Sequence, residues 1–155
     1  MTDDLERFVT EQNRDYETVL AELRRGRKSS HWIWFIFPQI AGLGRSAMSQ
    51  HFAIGSLDEA RDYLAHPVLG ARLRECAALL LAVEGRSADE IFGPLDAMKV
   101  RSSMTLFHRA APDEAAFRQV LERFYAGSAD PATDELLRLC VTPGSPASRQ
   151  GGPQA

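Results

Sequence analysis

Cysteine is nearly absent from this chain of 155 residues. Cys76 and Cys140 have no metal-ligand spacing and sit inside apolar helical patterns, which predicts reduced, buried thiols and argues against a disulfide or a zinc site. Long apolar runs are missing as well. The longest, Trp32 to Pro38 and Cys76 to Val83, fall far short of the ~18 residues that a spanning helix needs, so no membrane association is expected. Met1-Thr2-Asp3-Asp4 starts acidic where a secretory signal starts basic and turns apolar, so a cytoplasmic location is expected. The formal net charge of −3 lacks the strongly basic character of a dedicated nucleic-acid binder, although a local basic patch stays open. There is no metal constellation, G-x-S-x-G elbow or P-loop, and Gly42-Leu43-Gly44 lacks the third glycine and preceding strand of a dinucleotide fingerprint. No cofactor is expected.

What is present reads as one mainly α-helical domain, an irregular bundle of six to eight helices over residues 1–141, with a disordered tail, 142–155, rich in Pro, Gly and Ser. Leu5, Phe8, Val9, Gln12, Tyr16, Val19, Leu20 and Leu23 recur at helical spacing, and Gly26 supplies the stop. Ser56-Leu57-Asp58-Glu59 and Ser87-Ala88-Asp89-Glu90 are capping boxes that open helices to about Ala65 and Gly93. Pro67 begins a helix to Glu84, Leu95 to about Arg109 is free of breakers, and two more helices follow Pro112 and Asp130. Trp32 to Phe37 is apolar at every position and so shows neither period. A short helix capped by Ser29 or Ser30 and stopped by Pro38 fits better than a strand, whose only conceivable partner is His51 to Ile54.

The stretch Gly26 to Ser46 concentrates both tryptophans, a histidine and a basic run. His31, beside Trp32 and Trp34, is a candidate acid or base; its ordinary reading is a capping or core histidine. Gln39 can hydrogen-bond a planar base or amide, and either tryptophan can stack on one, although most of six consecutive bulky residues must be packing. Arg24, Arg25, Arg27 and Lys28 are either a solvated helix end or an anion site. Asp96 and Lys99, one turn apart and followed by Arg101, Ser102, Ser103 and Thr105, can bind a phosphorylated or ribosyl ligand or hold a water. The bland alternative is an exposed ion pair with hydroxyls bonded back to their own helix.

GRKSSHWIWFIFPQIAGLGRSAMSQHFAI, EARDYLAHPVLGARLREC, IFG, DAMKVRSSMTLF and FYAGSADPATDELL closely resemble the bacterial family known as domain of unknown function 1810, over about Leu5 to Cys140. The resemblance implies a compact helical cytoplasmic domain with no established activity, and its motif positions here include Lys28, Ser30, His31, Trp32, Trp34, Gln39, Ser46, Asp96, Lys99, Ser102, Ser103 and Thr105. Members are sometimes labelled calpastatin, which does not suit a short capped-helix chain without repeats. The family pattern has a proline nearer Asp96 and a second acid beside it, whereas this chain has Pro94, Leu95 and Ala97, which disfavours a paired-carboxylate mechanism. A fainter similarity in size, helicity and a polar-aromatic segment is to the NADAR family, associated with NAD and ADP-ribose metabolism.

The expectation is a protein that binds a nucleotide-derived or phosphorylated small molecule. Its enzymatic form is an N-glycosidic, ADP-ribosyl-type hydrolase with His31 and Asp96 as catalytic groups and Lys28, Ser30, Trp32, Trp34, Gln39, Ser46, Lys99, Ser102, Ser103 and Thr105 as binding groups. The alternative is a non-catalytic module for a ligand or a protein partner.

Overall fold

The structure, a computed structural model, describes residues 2–141, with side chains described from Leu5 to Leu139. The expected tail at 142–155 and the Cys140 thiol lie outside those residues. The fold is mainly α. Among the described residues there are nine helices: α1 (Thr2–Arg25), α2 (Ile33–Ile36), α3 (Ala47–His51), α4 (Leu57–Ala65), α5 (Leu69–Ala82), α6 (Ala88–Phe92), α7 (Pro94–Ala110), α8 (Ala115–Tyr125) and α9 (Pro131–Val141). Eight answer to the segments read from the sequence. The ninth is the short α3, capped by the Ser46 hydroxyl, which accepts the Ser49 N–H. No described helix is long and apolar enough to cross a membrane.

The architecture is centred on α7, which packs against α2, α4, α6, α8 and α9. Its residues Ser102 to Phe107 are buried without interruption. A helix enclosed on all sides loses the one-sided apolar stripe, which is why this segment looks aperiodic in sequence. An aromatic chain joins the layers around it: Phe8 meets Tyr63 with ring centroids 5.2 Å apart, Tyr63 meets Phe107 at 5.3 Å, and Phe107 meets Phe117 at 6.0 Å. Such pairs add about 0.5–1.5 kcal/mol each beyond the area they bury.

The expected helix at Trp32 to Phe37 is one turn, and its capping differs from the expectation. Trp32 occupies the N-cap with no side-chain cap, because the Ser29 and Ser30 hydroxyls are turned towards Glu22 on α1. A turn this short leaves carbonyls unpaired, and the Phe35 carbonyl is taken up by the buried Gln12 amide at 2.6 Å. After Pro38 the chain makes one parallel bridge, Ile40 to Ile54, so the 51–54 segment does pair, but beyond the aromatic run.

Cys76 is a free, buried thiol, pushed by burial to a pKa of about 12. At the α4–α5 junction Gly70 lies so close to the preceding turn that a Cβ there would stand 2.1 Å from the Leu64 carbonyl oxygen. Backbone cannot give way as a flexible side chain can. Gly70→Ala is therefore expected to lower unfolding free energy by about 1–3 kcal/mol in chemical denaturation, with an unchanged helical spectrum at room temperature.

Candidate functional site

The site begins at the end of α1. Gly26, with φ +76°, ends the helix, and the chain turns back over Glu22. Glu22 is only 3 % exposed, and its carboxylate accepts five hydrogen bonds. The Ser29 and Ser30 N–H groups reach Oε1 at 2.8 and 3.0 Å, their hydroxyls reach Oε2 at 3.1 and 2.5 Å, and the Trp32 indole N–H reaches Oε1 at 2.9 Å. Burial acts to raise this carboxyl's pKa, but the serine and tryptophan donors outweigh it and hold it down to about 2.

This anchored loop delivers Lys28 to α7. The Lys28 N–H bonds the Ile91 carbonyl at 2.8 Å, and its ammonium lies 5.2 Å from the Trp32 ring centroid and 2.7 Å from Asp96 Oδ2. Gly93, at φ +82°, allows the sharp junction that starts α7 at Pro94 and brings Asp96 into its first turn. Lys99, one turn on, contacts Asp96 Oδ1 at 3.2 Å and lies 5.2 Å from the Trp34 ring centroid. The result is a lysine–aspartate–lysine cluster resting on the two tryptophans.

Lys99 opens onto a cleft of ≈ 290 Å³. Gln39, Ser102 and Asp130 supply further polar groups, while Leu43, Leu95 and Met98 form apolar walls. Leu95 and Met98 are 74 % and 66 % exposed, unusual for large apolar side chains on a helix otherwise so deeply buried. Gly44 and Ser49 close another side and are in tight contact, since a Cβ on Gly44 would fall 2.4 Å from the Ser49 Cβ.

The structure thus brings Gln39, Lys99 and Ser102 of the expected set together on one cleft, with Asp96 and Trp34 directly behind Lys99. The other expected groups are placed differently. Trp32 is core, with its indole N–H committed to Glu22, so it has no face for a ligand. Lys28 has a side chain only 7 % exposed and serves Asp96. Ser30 serves Glu22, and Ser46 caps α3. Ser103 and Thr105 are fully buried, and Thr105 donates to the Arg101 carbonyl and accepts the Asp130 N–H. His31 is exposed and makes no hydrogen bond or ion pair with the described residues.

Two residues that the sequence reading left out are central. Glu22 holds the loop, and its only signal was a carboxylate on the buried side of α1 shortly before a Ser-Ser-His-Trp run rich in donors. Asp130 was read as the start of a helix, and it does cap α9, accepting the Thr133 N–H at 3.2 Å. That it also faces a cleft is a tertiary fact with no sequence signature.

The chain belongs to the family described as Protein of unknown function (DUF1810), whose model matches residues 2–137. It is similar to the conserved hypothetical protein Rv1873 from Mycobacterium tuberculosis, known from a crystal structure at 1.38 Å, with 50 % identity, a TM-score of 0.86 and coverage of 87 % of this chain and 96 % of that one. No curated protein matches.

Because Glu22 ionises far more readily folded than unfolded, its contribution is complete above the ordinary carboxyl pKa of 4.5 and is lost as pH falls towards about 2. Glu22→Gln should cost about 3 kcal/mol at pH 7, and urea titrations from pH 7 to pH 2.5 should show the gap from the wild type shrinking below about pH 4.5. A constant gap across that range would show that the carboxylate's charge is not what stabilises the loop.

Proposed function

We propose that this protein binds a small phosphorylated metabolite, of nucleotide or sugar-phosphate type, in the cleft beside Lys99. The observation that carries the reading is convergence: an ammonium, an amide, a hydroxyl and a carboxylate from three separated parts of the chain meet on one apolar-walled cleft. Lys99 uses one contact on Asp96 and, as an ammonium, has two further N–H bonds for phosphate oxygens. Gln39 offers a donor and an acceptor to a base or amide, and the Leu95 and Met98 side chains give a planar or apolar portion a surface to cover. At ≈ 290 Å³ the cleft lies at the small end of ligand sites, which favours a mononucleotide or sugar phosphate over a whole dinucleotide.

Hydrolysis of an N-glycosidic, ADP-ribosyl-type bond is the catalytic extension of this reading, and it gains less from the geometry. Asp96 has one oxygen on Lys28 and the other on Lys99, and two ammoniums drawing on its charge make it a weaker base for a nucleophilic water. His31 has no polar contact with the cleft residues. The second reading, a non-catalytic interaction module, draws on the exposed Leu95 and Met98 pair.

A thermal-shift series with inorganic phosphate, sugar phosphates, mononucleotides and ADP-ribose tests the proposal. A ligand at 100 times its dissociation constant adds about 2.7 kcal/mol, or roughly 5–10 °C for a chain of this size. The expected result is a rise with phosphate-bearing compounds that Lys99→Ala abolishes. A flat response throughout, or a rise that survives Lys99→Ala, would overturn it and leave the interaction module as the better account.

A further inference from the structure

Resting on the cleft assignment above, we propose that Asp130 reads the hydroxyl groups of the ligand, so that the site selects a phosphorylated polyol over other phosphate compounds of similar size.

Three donors converge on one carboxylate oxygen. Asp130 Oδ2 accepts the Ser102 hydroxyl at 2.8 Å, the Thr133 hydroxyl at 2.6 Å and the Thr133 N–H at 3.2 Å. Capping of α9 accounts for the last of these alone. Asp130 Oδ1 accepts no hydrogen bond from a described residue and is not a buried atom, and the residue lines the cleft with Lys99 and Gln39. One oxygen is saturated and the other is left for something from outside.

The surroundings fix this carboxylate closely. The Asp130 N–H donates to Thr105 Oγ1 at 2.9 Å, and Arg101 holds the preceding residues through the Ser128 and Ala129 carbonyls, both at 2.8 Å. The Tyr125 hydroxyl donates to the Ala97 carbonyl at 2.6 Å and ties the end of α8 to the first turns of α7. Ser102 and Thr105, expected from sequence to touch the ligand, thus act partly or wholly as positioning residues for Asp130. A carboxylate oxygen only accepts, so its complement is a ligand hydroxyl or amine donor. Lys99 on the same cleft favours an anion, and Asp130 alone would repel one. A single molecule that satisfies both carries its phosphate at one end and hydroxyls at the other.

Asp130→Asn is the informative variant. Asn caps helices as well as Asp does, and its one oxygen is needed at the Oδ2 position for Ser102 and Thr133, so its NH2 replaces Oδ1 and turns the acceptor into a donor. Calorimetric titration of wild type, Asp130→Asn and Thr133→Val with ribose 5-phosphate and with inorganic phosphate reads the result. The wild type should prefer ribose 5-phosphate by about 10- to 100-fold, the gain of a hydroxyl bonded to a charged acceptor. Asp130→Asn should lose that preference and bind inorganic phosphate equally or more tightly, because a negative charge has gone. Thr133→Val, which removes one buried donor while keeping the carboxylate, should lose part of the preference, and it carries the test if Asp130→Asn fails to fold. A wild type without the preference, or variants that keep it in full, overturns this inference and leaves the phosphate site standing. A wild type that binds neither compound overturns both.

Discussion

One buried carboxylate anchors the loop that supports the charged side of the candidate site. Glu22 gathers two backbone N–H groups, two hydroxyls and an indole N–H from the segment Ser29 to Trp32. An isolated carboxylate so far from water would be costly, and the five donors replace the water it loses. The same bonds fix the loop, and the loop carries Lys28 to Asp96, which in turn holds Lys99 at the cleft. Each link is a hydrogen bond or an ion pair, and the first is the most deeply enclosed.

The second organising fact is the enclosure of α7. Over its enclosed stretch, Ser102 to Phe107, polar groups must find partners inside the protein, and Ser102 and Thr105 do so in part by bonding carbonyls of their own helix, those of Met98 and Arg101. Thr105 also accepts the Asp130 N–H, while Ser102, with a single O–H, divides it between the Met98 carbonyl and the Asp130 carboxylate. Ser102 and Thr105 therefore serve as struts between α7 and the entry to α9, whereas the buried Ser103 hydroxyl on the same helix has no partner among the described residues. Such a scaffold orients a carboxylate without the ligand's help, the condition under which one hydrogen bond discriminates between related compounds.

The helices were legible because they are punctuated. Gly26 at a positive φ and the Ser87–Glu90 capping box operate where the sequence puts them, Ser56 accepts the Glu59 N–H while the Glu59 carboxylate takes the Gly55 N–H in place of the cap's own, and Pro94 adds a first-turn residue to the helix read from Leu95. The candidate site was legible only in part. Asp96 and Lys99 one turn apart follow from helical spacing, and Gln39 and Ser102 were named for their chemistry. Lys28 and Trp32 were named for the same reason, yet Trp32 fills the core and Lys28 is nearly sealed. Residue type cannot tell a ligand contact from an internal partner, because an ammonium on a tryptophan face beside a carboxylate is the same chemistry in either place. Ser29 and Ser30 show the limit from another side: a serine before a helix is read as a cap, and here a buried carboxylate outcompetes the helix end for both hydroxyls.

The asymmetry between the two lysines bears on how such a site can work. Asp96 is shared, with the enclosed Lys28 at 2.7 Å and the more open Lys99 at 3.2 Å. A phosphate arriving in the cleft competes with Asp96 for Lys99. Were Lys99 the only partner, its transfer would strand a carboxylate in a poorly solvated place, a loss that would offset much of the new contact. With Lys28 in place Asp96 stays paired, so Lys99 can turn towards a ligand at little cost. The Trp34 ring, with its centroid 5.2 Å from the Lys99 ammonium, attracts that cation and keeps it beside the cleft. The enclosed lysine thus acts as a standing counterion to Asp96, which keeps a partner when Lys99 turns away.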